Sequence, residues 1–196
     1  MDLCGESFSG LRLEGEAISS GVVEDCLFTR CRFSNLEVKN LRVTGCRFVE
    51  CSFSGLRPEN LTCLDNTFEG CAISGIEWAA LLDPRKRDMG FLPFGALSQC
   101  TLHYNVFFAL DLGKFDFHGC DLTGSSFDEC NLKGADFSGC VLKGVGFSHN
   151  DLREADFRGA GGYAFSPENN QVKGARFSLP EAVGLLAALG IVLEEG

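Results

Sequence analysis

From Cys100 to Phe157 the chain reads CTLHYNVFFALDLGKFDFHGCDLTGSSFDECNLKGADFSGCVLKGVGFSHNDLREADF. Stepping five residues at a time gives Leu102, Phe107, Leu112, Phe117, Leu122, Phe127, Leu132, Phe137, Leu142, Phe147, Leu152 and Phe157. Leu and Phe alternate at all 12 positions. Two residues before each lies a second register: Cys100, Asn105, Leu110, Phe115, Cys120, Ser125, Cys130, Ala135, Cys140, Val145, Asn150 and Ala155. Most of these are small or apolar. The other three positions of each five are mostly residues of turns and solvated surface. A period of five matches neither the 3.6 of a helix nor the 2.0 of a strand. It marks an internal repeat.

A chain that turns inward every five residues closes a four-sided coil after four repeats. Each side is a short extended piece and each corner a β-turn. Successive coils stack through parallel backbone hydrogen bonds, about 4.8 Å apart. The alternation then puts Phe on one pair of opposite faces and Leu on the other. No coil buries its own core, so stability comes from stacking. The expected fold class is an all-β solenoid forming one continuous domain.

Upstream, the same period runs in a different phase through Phe8, Leu13, Ile18, Val23, Phe28, Phe33, Val38, Val43, Phe48, Phe53, Pro58, Cys63, Phe68, Ile73 and Trp78. Pro58 is the one poor fit, and its corner is expected to be irregular. Trp78 and Leu102 lie 24 residues apart, where whole repeats would need 25. The expected division is a first run over 1–78, an interrupting loop over 79–99, a second run over 100–177 and a capping segment over 178–196. The loop carries two prolines and a basic triplet, and loops on a rigid scaffold often carry function. Its candidate partner-binding residues are Arg85, Lys86, Arg87, Met89, Phe91, Leu92 and Phe94. A tolerated insertion explains the same sequence.

After Phe157 the pattern weakens, then resumes at Val172 and Phe177. Ser178-Leu179-Pro180-Glu181 reads as a capping box with Pro in the first turn. A short helix is expected from Leu179 to Leu189 with Gly190 as its stop, followed by the extended Ile191-Val192-Leu193. Val183, Leu185, Leu186, Leu189 and Ile191 present more apolar surface than a cap alone uses, so homodimerisation through this helix is expected.

The 11 cysteines fall almost entirely on inward positions. That placement reads as packing of reduced thiols, with neither zinc spacing nor a disulfide framework, and a reducing cytoplasm is expected. His103, His118 and His149 fall on outward positions without a recognisable constellation. No nucleophile elbow, P-loop or dinucleotide fingerprint occurs, so neither an enzyme nor a cofactor or metal is expected. No secretory leader or long apolar run is present, which argues against a membrane protein. The net charge of −10 opposes direct contact with nucleic acid, because binding phosphates needs a basic face. It fits the reverse arrangement. About seven coils give a rod of roughly 32 Å, along which a duplex carries roughly 19 phosphates. The chain has about half that charge density and could occupy a basic DNA-binding groove. Asp116, Asp121, Asp136, Asp151 and Asp156, on outward positions of the second run, are the candidate acidic face. Ordinary solubility is the plain alternative for each.

Ala135-Asp136-Phe137-Ser138-Gly139 and Asn131-Leu132-Lys133-Gly134-Ala135 resemble the A(D/N)LXX unit of the pentapeptide-repeat family, which implies a right-handed quadrilateral β-helix. The opening Cys4-Gly5-Glu6-Ser7-Phe8, the single break after Gly75-Ile76-Glu77-Trp78 and the ending Ala175-Arg176-Phe177-Ser178-Leu179-Pro180-Glu181-Ala182 resemble its gyrase-protecting branch. That branch includes the Qnr, MfpA and AlbG-like types, and the albicidin-resistance AlbG-like type is the nearest resemblance. The resemblance implies a rod dimerised by its C-terminal helix that mimics DNA and engages DNA gyrase or topoisomerase IV. It implies resistance or self-immunity to a poison such as a quinolone, with a projecting loop contributing. A pentapeptide-repeat scaffold for another cytoplasmic protein is the competing expectation.

Overall fold

The computed structural model describes residues 2–192 and 194, and it is a parallel β-solenoid of about seven turns. Each side of a coil is a short strand or, over much of the second run, a single bridge, paired in parallel one coil away. Ser7–Ser9, Leu27–Thr29 and Arg47–Val49 align Phe8 with Phe28 and Phe28 with Phe48. The regular offset of 20 residues is four fives, as expected for a four-sided coil.

In the second run, Phe107, Phe127 and Phe147 stack on one face at 4.4 and 5.2 Å between centroids. Phe117, Phe137, Phe157 and Phe177 stack on the opposite face at 5.0, 5.0 and 5.1 Å. The two columns meet edge to face across the axis, Phe117 against Phe127 at 5.6 Å and 82°. Aromatic quadrupoles favour both arrangements. Leu102, Leu112, Leu122, Leu132, Leu142 and Leu152 fill the other two faces and are fully buried.

Corners explain the polar positions of each five. One residue per corner adopts the left-handed conformation, as at Asp25 (φ 52°), Asn35 (φ 52°) and Lys114 (φ 59°). Gly, Asn and Asp enter that region most easily. In the second run a β-turn bond closes the corner, as from Ala135 N–H to the Leu132 carbonyl at 3.0 Å.

The small inward register does more than fill space. Cys51 accepts the Cys31 amide N–H at 3.3 Å and donates its S–H to the Phe28 carbonyl at 3.4 Å. Asn150 does the same with Cys130 N–H and the Phe127 carbonyl, both at 2.9 Å. Ser125 bridges Asn105 N–H and the Leu102 carbonyl. These side chains satisfy buried backbone groups that the turn removes from the ladder. All eleven cysteines are free thiols.

Three details depart from the expectation. Phe68 aligns with Leu97 and Ile73 with Leu102, an offset of 29 rather than 20, so nine residues are added at one corner. The coil resumes at Phe94–Ser98, a strand paired with Asn66–Glu69 through a bulge. The interruption therefore closes before Phe94 and does not extend to residue 99. Pro58 causes no loss of register: Arg57–Glu59 pairs with Glu37–Lys39 at the edge of its sheet, where a missing N–H is tolerated. The capping box does not form. Ser178 Oγ accepts the Gly159 amide at 3.1 Å instead, and the helix α2 is confined to Val183–Ala188. Leu193 lies outside the described residues.

Candidate functional site: an acidic column, a loop and an apolar end

Parallel stacking converts sequence spacing into columns. Asp116 pairs with Asp136, Asp136 with Asp156, and Asp156 with Arg176, so three candidate acids share one column. Asp151 belongs to a second column with Asp111 and Asn131, and Asp121 to a third between Thr101 and Val141. The five acids therefore occupy three columns and do not make one face.

Each of the five also has a structural duty. Its Oδ1 accepts the amide N–H two residues on, as His118 N–H does to Asp116 at 2.8 Å and Ser138 N–H to Asp136 at 2.8 Å. This Asx arrangement explains Asp at the head of a turn without reference to a partner. Charge separates them further. Asp156 binds the guanidinium groups of Arg158 and Arg176 at 2.7 and 2.9 Å. Hydrogen bonding from Arg158 holds the Asp156 carboxyl below the ordinary carboxylate range, against the opposing effect of burial. Arg153 lowers Asp151 in the same way. For Asp121, burial acts against ionisation, but bonds from Thr123 and His103 outweigh it and lower its pKa. The His103 contact, Nε2 to Asp121 Oδ2 at 2.9 Å, gives that histidine a partner that its sequence position does not announce. Asp116 and Asp136 make no ion pair among the described residues. Asp116 is exposed, whereas Asp136 is half-buried and lies within the electrostatic reach of Arg158.

Beside Asp116 the solenoid wall is open. Phe94–Ser98 is the last strand of its sheet, and it borders a groove of about 420 Å³ lined by Gly95, Leu97, Gln99, Lys114, Phe115 and His118. Phe115 stands where later coils have Ala135, Ala155 and Ala175, and its bulk accompanies the gap.

The interruption is a folded projection. Trp78–Leu81 forms a 3-10 helix, and Trp78, Leu81 and Leu82 are buried beneath it. Pro84–Asp88 forms a short helix, α1, capped by Asp83 Oδ1, which accepts Arg85 N–H at 2.9 Å. Arg85, Met89 and Phe91 are exposed, with Met89 74% accessible, while Lys86, Arg87 and Leu92 are half-buried. Phe94 is wholly buried and packs edge to face on Trp78 at 4.8 Å. Phe94 is therefore a core residue and presents no surface to a partner, contrary to its expected place in a binding loop.

At the other end, Leu185 packs against the last coil and Leu186 is half-buried. Val183, Leu189 and Ile191 are exposed, together with Leu179 and Val192 at 79% and 83% accessibility. Among the described residues, no group of three or more His, Cys, Asp or Glu side chains could hold a metal ion. No helix among them is long and apolar enough to cross a membrane.

Residues 107–144 and 130–160 match the model for pentapeptide repeats, with 8 copies. No curated protein matches. Among solved structures, the chain is 19% identical to trypsin-treated QnrB1, a plasmid-mediated fluoroquinolone resistance protein, covering 97% of this chain and 100% of that one at a TM-score of 0.40. Full-length QnrB1 gives 17% identity over 94% and 100% of the chains at 0.37. HetL, a pentapeptide repeat protein involved in heterocyst differentiation regulation from the cyanobacterium Nostoc sp. strain PCC 7120, gives 14% over 88% and 85% at 0.32. Likeness of this order says nothing about a partner.

Proposed function

We propose that this pentapeptide-repeat β-solenoid is a DNA mimic that binds DNA gyrase, and topoisomerase IV by the same chemistry, and protects the enzyme from a poison. The carrying observation is the column of Asp116 and Asp136, carboxylates one coil apart that make no ion pair among the described residues, on a rod of net charge −10. Two carboxylates about 4.8 Å apart along the rod present negative charge at an axial spacing comparable to the roughly 3.4 Å of helix axis per phosphate of one DNA strand. A basic groove that takes a duplex offers the complement. The terminal motifs and single break, which resemble the gyrase-protecting and AlbG-like proteins, support the same reading. The exposed tip, Met89 to Phe91, supplies an apolar contact. The α2 end, with Val183, Leu189 and Ile191, supplies a seam that doubles the rod. Resistance or self-immunity is the biological consequence.

A second reading, a non-enzymatic scaffold for another cytoplasmic protein, is favoured by one observation. Asp121, Asp151 and Asp156 are already engaged by His103, Arg153, and Arg158 with Arg176. Binding of purified chain to purified gyrase, measured at low and at high salt, separates the readings. The mimic predicts saturable binding that weakens steeply with salt and competes with duplex DNA. Absence of binding at low salt leaves the scaffold.

A further inference from the structure

The two runs are filled differently. In the second run the central Phe and Leu residues from Leu102 to Phe157 are all buried, most of them, such as Phe107, Leu122 and Phe137, with no accessible area. In the first run, one face carries Val23, Val43 and Cys63, and the adjoining face carries Ile18, Val38 and Pro58. These narrower residues leave an apolar cavity of about 390 Å³ along the coil axis. Phe33, Val43, Phe53 and Cys63 line it and keep accessible area, although they sit coils inside the rod. The cavity reaches Leu3 and Phe8 in the first coil and ends against Ile76, Trp78 and Leu81.

The lining offers water almost nothing. Its one amide, Asn66, is engaged with Cys46 N–H and with the Val43 and Pro93 carbonyls. A buried water needs two to four polar partners, and apolar cavities of roughly 150 Å³ stay dry and accept benzene. This cavity is more than twice that size. At its inner end the indole N–H of Trp78 is buried and has no hydrogen-bond partner among the described residues.

We propose that the first-run channel is a binding site for a slim, uncharged apolar ligand, an aliphatic chain or linked flat rings lying along the coil axis. The absence of any cation in the lining excludes a buried acid group. The inference is independent of the topoisomerase reading, since it concerns the interior of the rod.

Trp78 is the only tryptophan, which makes the test local. The full chain is titrated with the neutral dye N-phenyl-1-naphthylamine while energy transfer from Trp78 to the dye is followed. The expected result is saturable transfer at one dye per chain, displaced by 1-dodecanol. Val43→Phe with Cys63→Phe, which fills the channel, is expected to weaken binding about tenfold or more while keeping the native circular dichroism. Dye fluorescence without transfer from Trp78 would place the dye on the exposed α2 end and overturn the proposal. Unchanged transfer in the filled variant would do the same. Should that variant not fold, displacement by 1-dodecanol in the unaltered chain decides: failure to displace overturns the site.

Discussion

The amide N–H of Cys130 donates to Oδ1 of Asn150, the residue one coil further along, at 2.9 Å. The same amide group returns a bond from Nδ2 to the Phe127 carbonyl. Both residues are buried. Asn150→Ala leaves a buried donor and a buried acceptor unpaired, at a cost of about 2–3 kcal/mol. Asn150→Ser recovers most of it, because Ser125 already makes both bonds elsewhere in the coil. Thermal or denaturant unfolding reads the difference. An alanine variant as stable as the parent would show that these side chains only fill space.

Thiol chemistry follows from the same register. Cys4 is exposed, whereas Cys46, Cys130 and Cys140 are buried. Burial pushes Cys46 and Cys130 up to about 11 and Cys140 up to about 12, from an ordinary 9.0. Native protein is therefore expected to react rapidly with a thiol reagent at Cys4 and slowly at the inward positions, with all eleven reacting after denaturation. The sign of the pH effect is fixed by linkage. Folded-state values above the unfolded one mean that this stability is complete below pH 9 and is lost as pH rises toward 11–12, because the unfolded chain gives up its protons first. Unfolding midpoints at pH 8 and pH 10.5 check this. A midpoint that rises over that range would contradict it.

Charge and turn geometry can be separated at Asp116 and Asp136. Asn keeps the oxygen that accepts His118 N–H or Ser138 N–H and removes the charge. The double variant Asp116→Asn, Asp136→Asn is expected to unfold within about 0.5 kcal/mol of the parent. Its binding to gyrase is expected to fall about tenfold, at roughly 0.7 kcal/mol per carboxylate. Equal affinity in the two proteins would remove the acidic column from the interface.

The apolar end makes its own prediction. Val183 and Ile191 are 40% and 47% accessible, while Leu185 packs on the coil. Val183→Glu with Ile191→Glu is expected to convert a dimer to a monomer in sedimentation without lowering the unfolding midpoint. Leu185→Glu is expected to destabilise the last coil as well. A parent chain that sediments as a monomer at micromolar concentration would remove the seam.

The solenoid was legible because its period is exceptionless where it matters. A residue every five from Leu102 to Phe157 can be checked by counting, and those side chains prove to be the axis of the coil. Phe94 escaped because nine added residues destroy the phase just before it, so a core residue reads as loop. The nearest signal in the sequence was Leu97, five residues before Leu102 and so in phase with the second run. The inward cysteines read correctly as packed thiols, but counting could not show that Cys51 bridges Cys31 and Phe28. That role depends on which backbone groups the corner leaves over. Asp116 and Asp156 look equivalent in sequence. Only stacking puts Arg176 beside Asp156 and leaves Asp116 uncompensated. Ser178 matched a capping box by spacing, yet the amide of Gly159 one coil back claims its hydroxyl.

DNA supercoiling by purified gyrase, in the presence of a fluoroquinolone or an albicidin-like poison, reads protection of the enzyme itself. The protein is added as the parent chain and as the loop variant Met89→Ser, Phe91→Ser, which spares the buried Pro93 and Phe94. The parent is expected to restore supercoiling in the poisoned reaction, and the loop variant to restore less. Supercoiling that stays blocked at every concentration of a protein shown to be folded would contradict it.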